Sequence, residues 1–108
     1  MMKEIISTNV IVHNKFSMKK MLEIFQASRA FNGSTYLYSQ HKAVDSSNLP
    51  KLVSFLLTVE PQTALKIIVE GNDVQNHLES IKSICTSHIS VLRMNQKRFL
   101  DTTETFQI

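Results

Sequence analysis

The hydrophobic period changes repeatedly along this chain, and that alternation restricts the fold more than any other feature. Residues 4–12 repeat at period two, which places Ile6, Val10 and Val12, together with Thr8, on one face of a predicted strand. Residues 17–30 repeat instead at spacings of three and four, which predicts an amphipathic helix. Continued to residue 85, the pattern predicts the order strand, helix, strand, strand, helix, strand, helix.

The first predicted helix begins at Ser17, whose hydroxyl can cap it, and runs to about Ala30. Its apolar and small residues recur at helical spacing: Met18, Met21, Leu22, Ile24, Phe25 and Ser28. Asn32-Gly33 then marks a turn. Two short strands follow at 34–38 and 42–45, and the residues between them, with His41 at the tip, have the length of a hairpin loop.

The second predicted helix starts after Asn48, a good capping residue, and its first turn tolerates Pro50. Its apolar residues are Leu49, Leu52, Val53, Leu56 and Leu57, and Pro61 marks its end. A strand at 64–70 ends at Gly71, and Asp73 opens the third helix as its cap or as a first-turn acid. One face of that helix is apolar and consists of Val74, Leu78, Ile81 and Cys85. His77 is expected to face solvent.

Elements in this order predict an α+β domain over residues 1–85, in which helices cover one face of an antiparallel sheet. From residue 86 onward the pattern weakens. Residues 86–108 therefore form a C-terminal extension, predicted as either a hairpin turning at Asn95-Gln96 or a continuation of the third helix. We expect this extension to pack on the domain or on a partner.

The number and positions of the glycine, cysteine and histidine residues exclude several classes of binding site. Gly33 and Gly71 are the only glycines, so the chain contains neither a P-loop nor a dinucleotide-binding glycine motif. Cys85 is the only cysteine, which rules out an internal disulfide and a four-cysteine zinc site. Cys85 and His88 form the only close Cys/His pair, and the other histidines fall on separate elements. We therefore expect no metal and no cofactor, and we assign Cys85 to the core.

Charge and hydropathy narrow the class of protein further. The nine acidic residues are scattered, so no carboxylate pair for acid–base catalysis is evident and no enzyme is predicted. The longest apolar run is far shorter than the roughly 20 residues of a membrane span, and the first residues do not form a signal peptide. The net charge is only +3, aromatic residues make up 7% and tryptophan is absent, which argues against nucleic-acid binding. We expect a soluble cytoplasmic domain.

A known family shares this element order and several local patterns. The segment Gly71-Asn72-Asp73 follows the strand 65–69 and precedes the apolar helix positions Val74, Leu78 and Ile81, and residues 27–31 lead out of the first helix. In these respects residues 3 to 85 resemble HPr, the histidine-containing phosphocarrier of the bacterial sugar phosphotransferase system. The resemblance implies an open-faced β-sandwich in the order β-α-β-β-α-β-α. It also implies that the extension 86–108 is additional to the family core.

The positions of the family's two phosphorylation sites differ in this sequence. The family carries its phosphorylatable histidine at the start of the first helix, and Ser17 stands at that position, with Lys19 and Lys20 at the following arginine and proline positions. Asn48 matches the regulatory serine of Gram-positive members. Transfer through histidine needs a neutral imidazole nitrogen, and a serine hydroxyl is a poor nucleophile without an adjacent base. We therefore expect phosphotransfer to be lost.

The same resemblance suggests a binding surface. If the starts of the first two helices lie side by side, four lysines ring an exposed apolar group; with Ser17, the predicted surface comprises Lys15, Phe16, Lys19, Lys20, Leu49, Pro50 and Lys51. Such a surface attracts an anion or an acidic protein partner, although a merely solvated basic face fits the charges equally well.

The leading hypothesis is therefore a regulatory protein-interaction module of the bacterial cytoplasm. Two alternatives stay open. One is a phosphocarrier with a displaced acceptor, either His13 or Ser17. The other is a structural protein that self-associates, as a homodimer for example, through residues 86–108.

Overall fold

A computed structural model describes residues 2–86, 88–91 and 96–101. Its strands are β1 (Met2–Val12), β2 (Gly33–Ser39), β3 (Lys42–Asp45), β4 (Thr63–Gly71), β5 (Ile89–Val91) and β6 (Gln96–Asp101). Its helices are α1 (Met18–Ala30), α2 (Leu49–Thr58) and α3 (Val74–Cys85). The predicted order of the first seven elements is thus confirmed.

Four of these strands form the predicted open antiparallel sheet, in the order β3-β2-β4-β1. In the pairings of β4 with β1 and with β2, apolar residues lie opposite each other: Val10 is opposite Leu65, and Leu37 is opposite Ile67. Side chains at alternate positions of β1 are buried, as its period of two predicted: Ile6, Thr8, Val10 and Val12. This face carries the core, and all three helices cover it.

Each helix contributes the apolar positions that face the sheet. Met21 and Ile24 of α1, Leu52 and Leu56 of α2, and Leu78 of α3 are buried in one cluster with the sheet residues. The predicted face of α3 is confirmed in full, because Val74, Leu78, Ile81 and Cys85 are all buried. The fold is therefore an α+β sandwich of one helical layer on one sheet.

Helices α1 and α2 run in opposite directions. Ser28, near the end of α1, shares a hydrogen bond with Ser46, just before α2, and their Oγ atoms are 2.5 Å apart. At the other end Lys15, just before α1, donates from Nζ to the carbonyl oxygen of Leu57 in the last turn of α2, at 3.4 Å. The start of α1 therefore lies beside the end of α2. The prediction that the two helix starts lie side by side is wrong.

The turn between β2 and β3 is a two-residue hairpin loop. Gln40 and His41 both have positive φ, 51° and 66°, as a type I′ turn requires. His41 is exposed at this tip, as the sequence predicted. A turn of this type closes with a hydrogen bond between Ser39 and Lys42, which sets the alternation of inward and outward backbone groups along β3.

Gly33, at the start of β2, occupies a position with no space for a side chain. A Cβ atom there would overlap the carbonyl oxygen of Glu70 and the ring of Phe31. The sequence signal Asn32-Gly33 thus marks a real change of direction between α1 and β2, at which two backbone segments approach closely.

The extension follows the outer edge of β1. Ile89–Val91 pairs with Val10–Val12, and Gln96–Asp101 pairs with residues 2–7, both antiparallel to β1. Strands β5 and β6 therefore point the same way, whereas the arms of a hairpin would point in opposite directions. Helix α3 ends at Cys85. Both predicted forms of the extension are thus wrong over its described residues, because β5 and β6 both hydrogen-bond to the outer edge of β1, where a hairpin would pair only one arm and a helix would pair none. The predicted turn at Asn95-Gln96 falls partly outside the described residues.

Two predictions about α3 also need correction. His77 is buried, with 8% of its surface exposed, because it packs flat against Phe31 with a ring-centroid distance of 3.9 Å. Asp73 does precede the helix, but its backbone is left-handed and its carboxylate caps no backbone N–H. The carboxylate accepts instead from the Asn76 side chain, at 2.9 Å and 3.1 Å.

Candidate functional site

Ser17 stands at the N-terminus of α1 as its cap. Its backbone is extended and its Oγ accepts a hydrogen bond from the backbone N–H of Lys20, at 3.2 Å. The first intrahelical bond, from Met21 N–H to the Ser17 carbonyl, measures 3.0 Å. The N–H groups of Met18 and Lys19 have no acceptor within the helix, as in any first turn. The capping role predicted for Ser17 is thus confirmed, and the equivalent role of Asn48 in α2 is confirmed by its 3.3 Å contact with Lys51 N–H.

Two acidic residues, one from the loop after α2 and one from α1 itself, partly neutralise the lysines around this terminus. Lys15 Nζ lies 3.4 Å from an Oε1 of Glu60, in the loop after α2. Lys20 Nζ lies 3.7 Å from Glu23 Oε2, one turn further along α1. Lys19 is exposed, and no ion pair joins it to another described residue. The basic rim is therefore weaker than the sequence predicted, because Glu60 folds back onto Lys15 and Glu23 of the same helix pairs with Lys20.

Phe16 does not belong to an exposed apolar group. It is 5% exposed and stacks on the imidazole of His88, with ring centroids 5.3 Å apart and planes at 21°. The chain after α3 is held there by a second contact, a 2.6 Å hydrogen bond from the His13 N–H to the His88 carbonyl. Phe16 thus closes the core beneath the start of α1, and the prediction that it is a surface residue is wrong.

The second-helix part of the predicted surface lies elsewhere. Because α1 and α2 are antiparallel, Leu49, Pro50 and Lys51 stand at the opposite end of the helical layer, about 15 Å from the end of α2 at 1.5 Å per residue. Pro50 and Lys51 are exposed there and Leu49 is half-buried. The predicted set of surface residues is therefore divided between two ends of the molecule.

Among the residues that the structure describes, three large apolar side chains are exposed instead: Met18 (54%), Leu22 (38%) and Leu57 (57%). Met18 and Leu22 are one turn apart on α1, and Leu57 reaches the same end because its carbonyl accepts from Lys15. We call Met18, Leu22, Leu57, Lys15 and Lys19 the α1 patch. The spacing of all three apolar members predicts buried helix faces, and that prediction is wrong for them. In α2 the adjacent residues Phe55 and Leu56 face the core, which turns Leu57, a further roughly 100° around the helix, toward solvent.

The remaining titratable groups form no further centre among the described residues. No group of three or more potential metal ligands occurs among them. Burial raises the pKa of the Cys85 thiol to about 12, so this thiol is protonated and unreactive in the folded protein. None of the described helices is long and apolar enough to cross a membrane.

Comparison with known proteins gives a fold but no sequence family. No protein-family model and no curated protein sequence matches the chain. Among solved structures, the histidine-containing phosphocarrier protein of a Mycoplasma superposes with a TM-score of 0.68 at 13% identity, covering 75% of this chain and 92% of that one. The chain has the HPr fold.

Two further solved structures also superpose on this chain. The phosphocarrier HPr of Bacillus anthracis gives a TM-score of 0.63 at 18% identity, over 74% of this chain and 95% of that one. The HPr-C-His protein of Thermoanaerobacter tengcongensis gives 0.65 at 17% identity, over 75% and 91%. The HPr fold therefore accounts for most of each of these structures but leaves about a quarter of this chain unmatched.

Proposed function

We propose that this chain is a protein-binding module that uses the HPr fold without carrying phosphate. The supporting observation is that Ser17 Oγ already accepts a hydrogen bond from the Lys20 N–H at the start of α1. An acceptor at this position needs an imidazole nitrogen, or a hydroxyl activated by a base. The side chain of Ser17 makes no other hydrogen bond to the described residues. A cytoplasmic setting and a regulatory role are part of the proposal.

The α1 patch is the surface through which we propose that the module binds. Exposed Met18 and Leu57 supply apolar area, and a cluster of such side chains on a small domain is typical of an interaction surface. Lys19 adds positive charge beside the positive end of the α1 dipole. An acidic protein partner with apolar residues at the centre of its contact region would complement this patch, and charge would act mainly on the association rate.

Phosphoryl transfer is tested by incubating the protein with phosphoenolpyruvate, magnesium and the general enzyme of the phosphotransferase system. The modified mass is read by intact mass spectrometry, with a histidine-containing HPr as the positive control. We expect no mass increase in this chain. An acid-labile phosphate adduct would contradict the proposal and favour the displaced acceptor, with His13→Ala identifying whether that residue carries it.

Partner binding is tested by affinity capture from bacterial cytoplasm, followed by titration of the captured protein. We expect Lys19→Glu and Met18→Ser to weaken binding, and added salt to weaken it further, because exposed charges are screened over about 8 Å at physiological ionic strength. Lys3→Glu is the matched control, since it reverses an exposed lysine at the end of β1 that is far from the start of α1. Equal loss in Lys19→Glu and Lys3→Glu, or binding indifferent to salt, would place the interface elsewhere.

Self-association through residues 86–108 remains the alternative structural role. The strands β5 and β6 already occupy the outer edge of β1 within one chain. A homodimer through this extension would therefore pair along the other edge of β5 and β6, or exchange these strands between copies. Sedimentation equilibrium of the full chain against a chain ending at residue 86 would distinguish a dimer of either kind from a monomer.

A further inference from the structure

The edge of the sheet at β3 faces an open groove. Among the described strands, β3 pairs only with β2, so its other side is not covered by any described segment. Helix α2 runs beside it, and the two elements enclose a groove of about 550 Å³. Buried Val44 and Phe55 form its floor, with Ala43 and Pro50 beside them.

The hairpin geometry shows which backbone groups of β3 are free. The turn at Gln40-His41 closes with Lys42 bonded to Ser39, so Lys42 and Val44 direct their N–H and C=O groups toward β2. The groups of Ala43, between them, point away from the sheet. A strand laid along this edge would find one free donor and one free acceptor at Ala43.

Side-chain direction connects that edge to the groove. A residue directly opposite Ala43 would share its face of the sheet, away from the helices. The residues before and after it would then point to the helix-covered face, where Val44 and Phe55 form the groove floor. An extended segment can therefore pair with Ala43 and place two side chains in the groove at once.

Charge indicates the chemistry of such a segment. Two exposed lysines, Lys42 and Lys51, stand on the groove, and none of its lining residues is acidic. Lys15, Lys20 and Lys82 each have a carboxylate within 4 Å, whereas the described residues offer none to Lys42 or Lys51. The groove is thus complementary to carboxylates.

From these observations we infer that β3 and α2 form a docking site for an extended acidic peptide segment of another protein. The segment adds as an antiparallel strand to the β3 edge, with β-branched or other apolar side chains over Val44 and Phe55, and acids near Lys42 and Lys51. Recognition by strand addition takes affinity from main-chain hydrogen bonds and specificity from alternate side chains. This site shares no residue with the α1 patch, so either proposal can fail without the other.

The test uses the full chain and the peptide Glu-Thr-Val-Thr-Val-Thr-Glu-amide, labelled with fluorescein at its N-terminus and followed by fluorescence anisotropy. With the central threonine opposite Ala43, the valines and the glutamates of this peptide all point to the groove side. Two control peptides carry one change each: an N-methyl group on the central threonine, which removes its N–H, or lysines in place of both glutamates. We expect saturable binding of the first peptide. N-methylation should weaken it about threefold to tenfold, the range that one net hydrogen bond supplies. The lysine peptide should bind more weakly still.

Variants of the protein locate the site. Ala43→Pro removes the outward N–H without disturbing the bonds to β2, so the sheet should tolerate it. Its peptide affinity should fall, as should that of Lys42→Glu combined with Lys51→Glu, by up to about fivefold per reversed lysine. Lys3→Glu, which reverses an exposed lysine outside the groove and outside the α1 patch, should bind normally. Absence of saturable binding by the wild-type chain, equal affinity for the N-methylated peptide, or equal losses in Lys3→Glu and the groove variants would overturn the inference. The comparison of peptides on the wild-type chain needs no variant to fold.

Discussion

Replacing Thr35 with valine should destabilise this protein, whereas the same replacement at Thr8 should not. Both residues lie on the helix-covered face of the sheet and are almost fully buried, at 2% and 1% exposure. Their hydroxyls differ in one respect. Thr35 Oγ1 shares a 2.7 Å hydrogen bond with Nε2 of buried His77, but Thr8 Oγ1 has no partner among the described residues.

The magnitude follows from which polar group each substitution leaves unpaired. In Thr35→Val, the imidazole nitrogen of His77 stays in the core without a partner, which costs about 1–3 kcal/mol. In Thr8→Val, an unsatisfied hydroxyl is replaced by a methyl group of the same shape, so the change should be near zero or stabilising. A difference of at least about 1 kcal/mol is expected, or roughly 4–8 °C in Tm for a domain of about this size.

Urea unfolding at neutral pH, with thermal melts as a second probe, measures both variants on the same scale. Unchanged m-values would show that the two substitutions act on stability rather than on the denatured state. If Thr35→Val and Thr8→Val shift the free energy of unfolding equally, the hydrogen bond between Thr35 and His77 contributes nothing measurable, and the reasoning fails.

The pH dependence supplies an independent check on His77. Burial lowers the pKa of this imidazole below its ordinary value of 6.5. As the pH falls below that ordinary value, His77 becomes protonated in the unfolded chain while it is still neutral in the folded protein. The free energy of unfolding therefore decreases until the folded imidazole is protonated as well. The decline from about pH 7.5 to pH 5.5 should therefore be shallower in His77→Leu than in the wild type. Parallel curves for the two proteins would refute the assignment.

Two further substitutions and one reagent test the core. Leu78→Ala should cost about 2–5 kcal/mol, because Leu78 is fully buried on α3, and Ser80→Ala on the exposed side of the same helix should change stability by less than about half a kcal/mol. A loss at Leu78 as small as that at Ser80 would contradict its position in the core. Cys85, whose thiol pKa is raised to about 12, should resist alkylation at pH 8 until urea unfolds the protein; rapid labelling of the native state would show that α3 opens locally.

Local patterns in the sequence were sufficient for the first seven elements and for the caps of α1 and α2. The period of two in β1 and the spacing of Val74, Leu78 and Ile81 in α3 report which side of each element is apolar, and that side must be buried whatever its partner. Capping by Ser17 and Asn48 is equally local, because cap and N–H group lie within three residues. Element order and the antiparallel sheet follow from these signals.

Contacts between distant segments decided the rest. Burial of Phe16 depends on His88, and burial of His77 depends on Phe31 and Thr35, each pair separated by dozens of residues. Exposure of Met18 and Leu57 and the pairing of Lys15 with Glu60 depend on the antiparallel packing of α1 and α2. The periodicity of a segment shows only which of its side chains lie on the same face. Whether that face is exposed, and which charged groups lie near it, depends on what the tertiary structure packs against it.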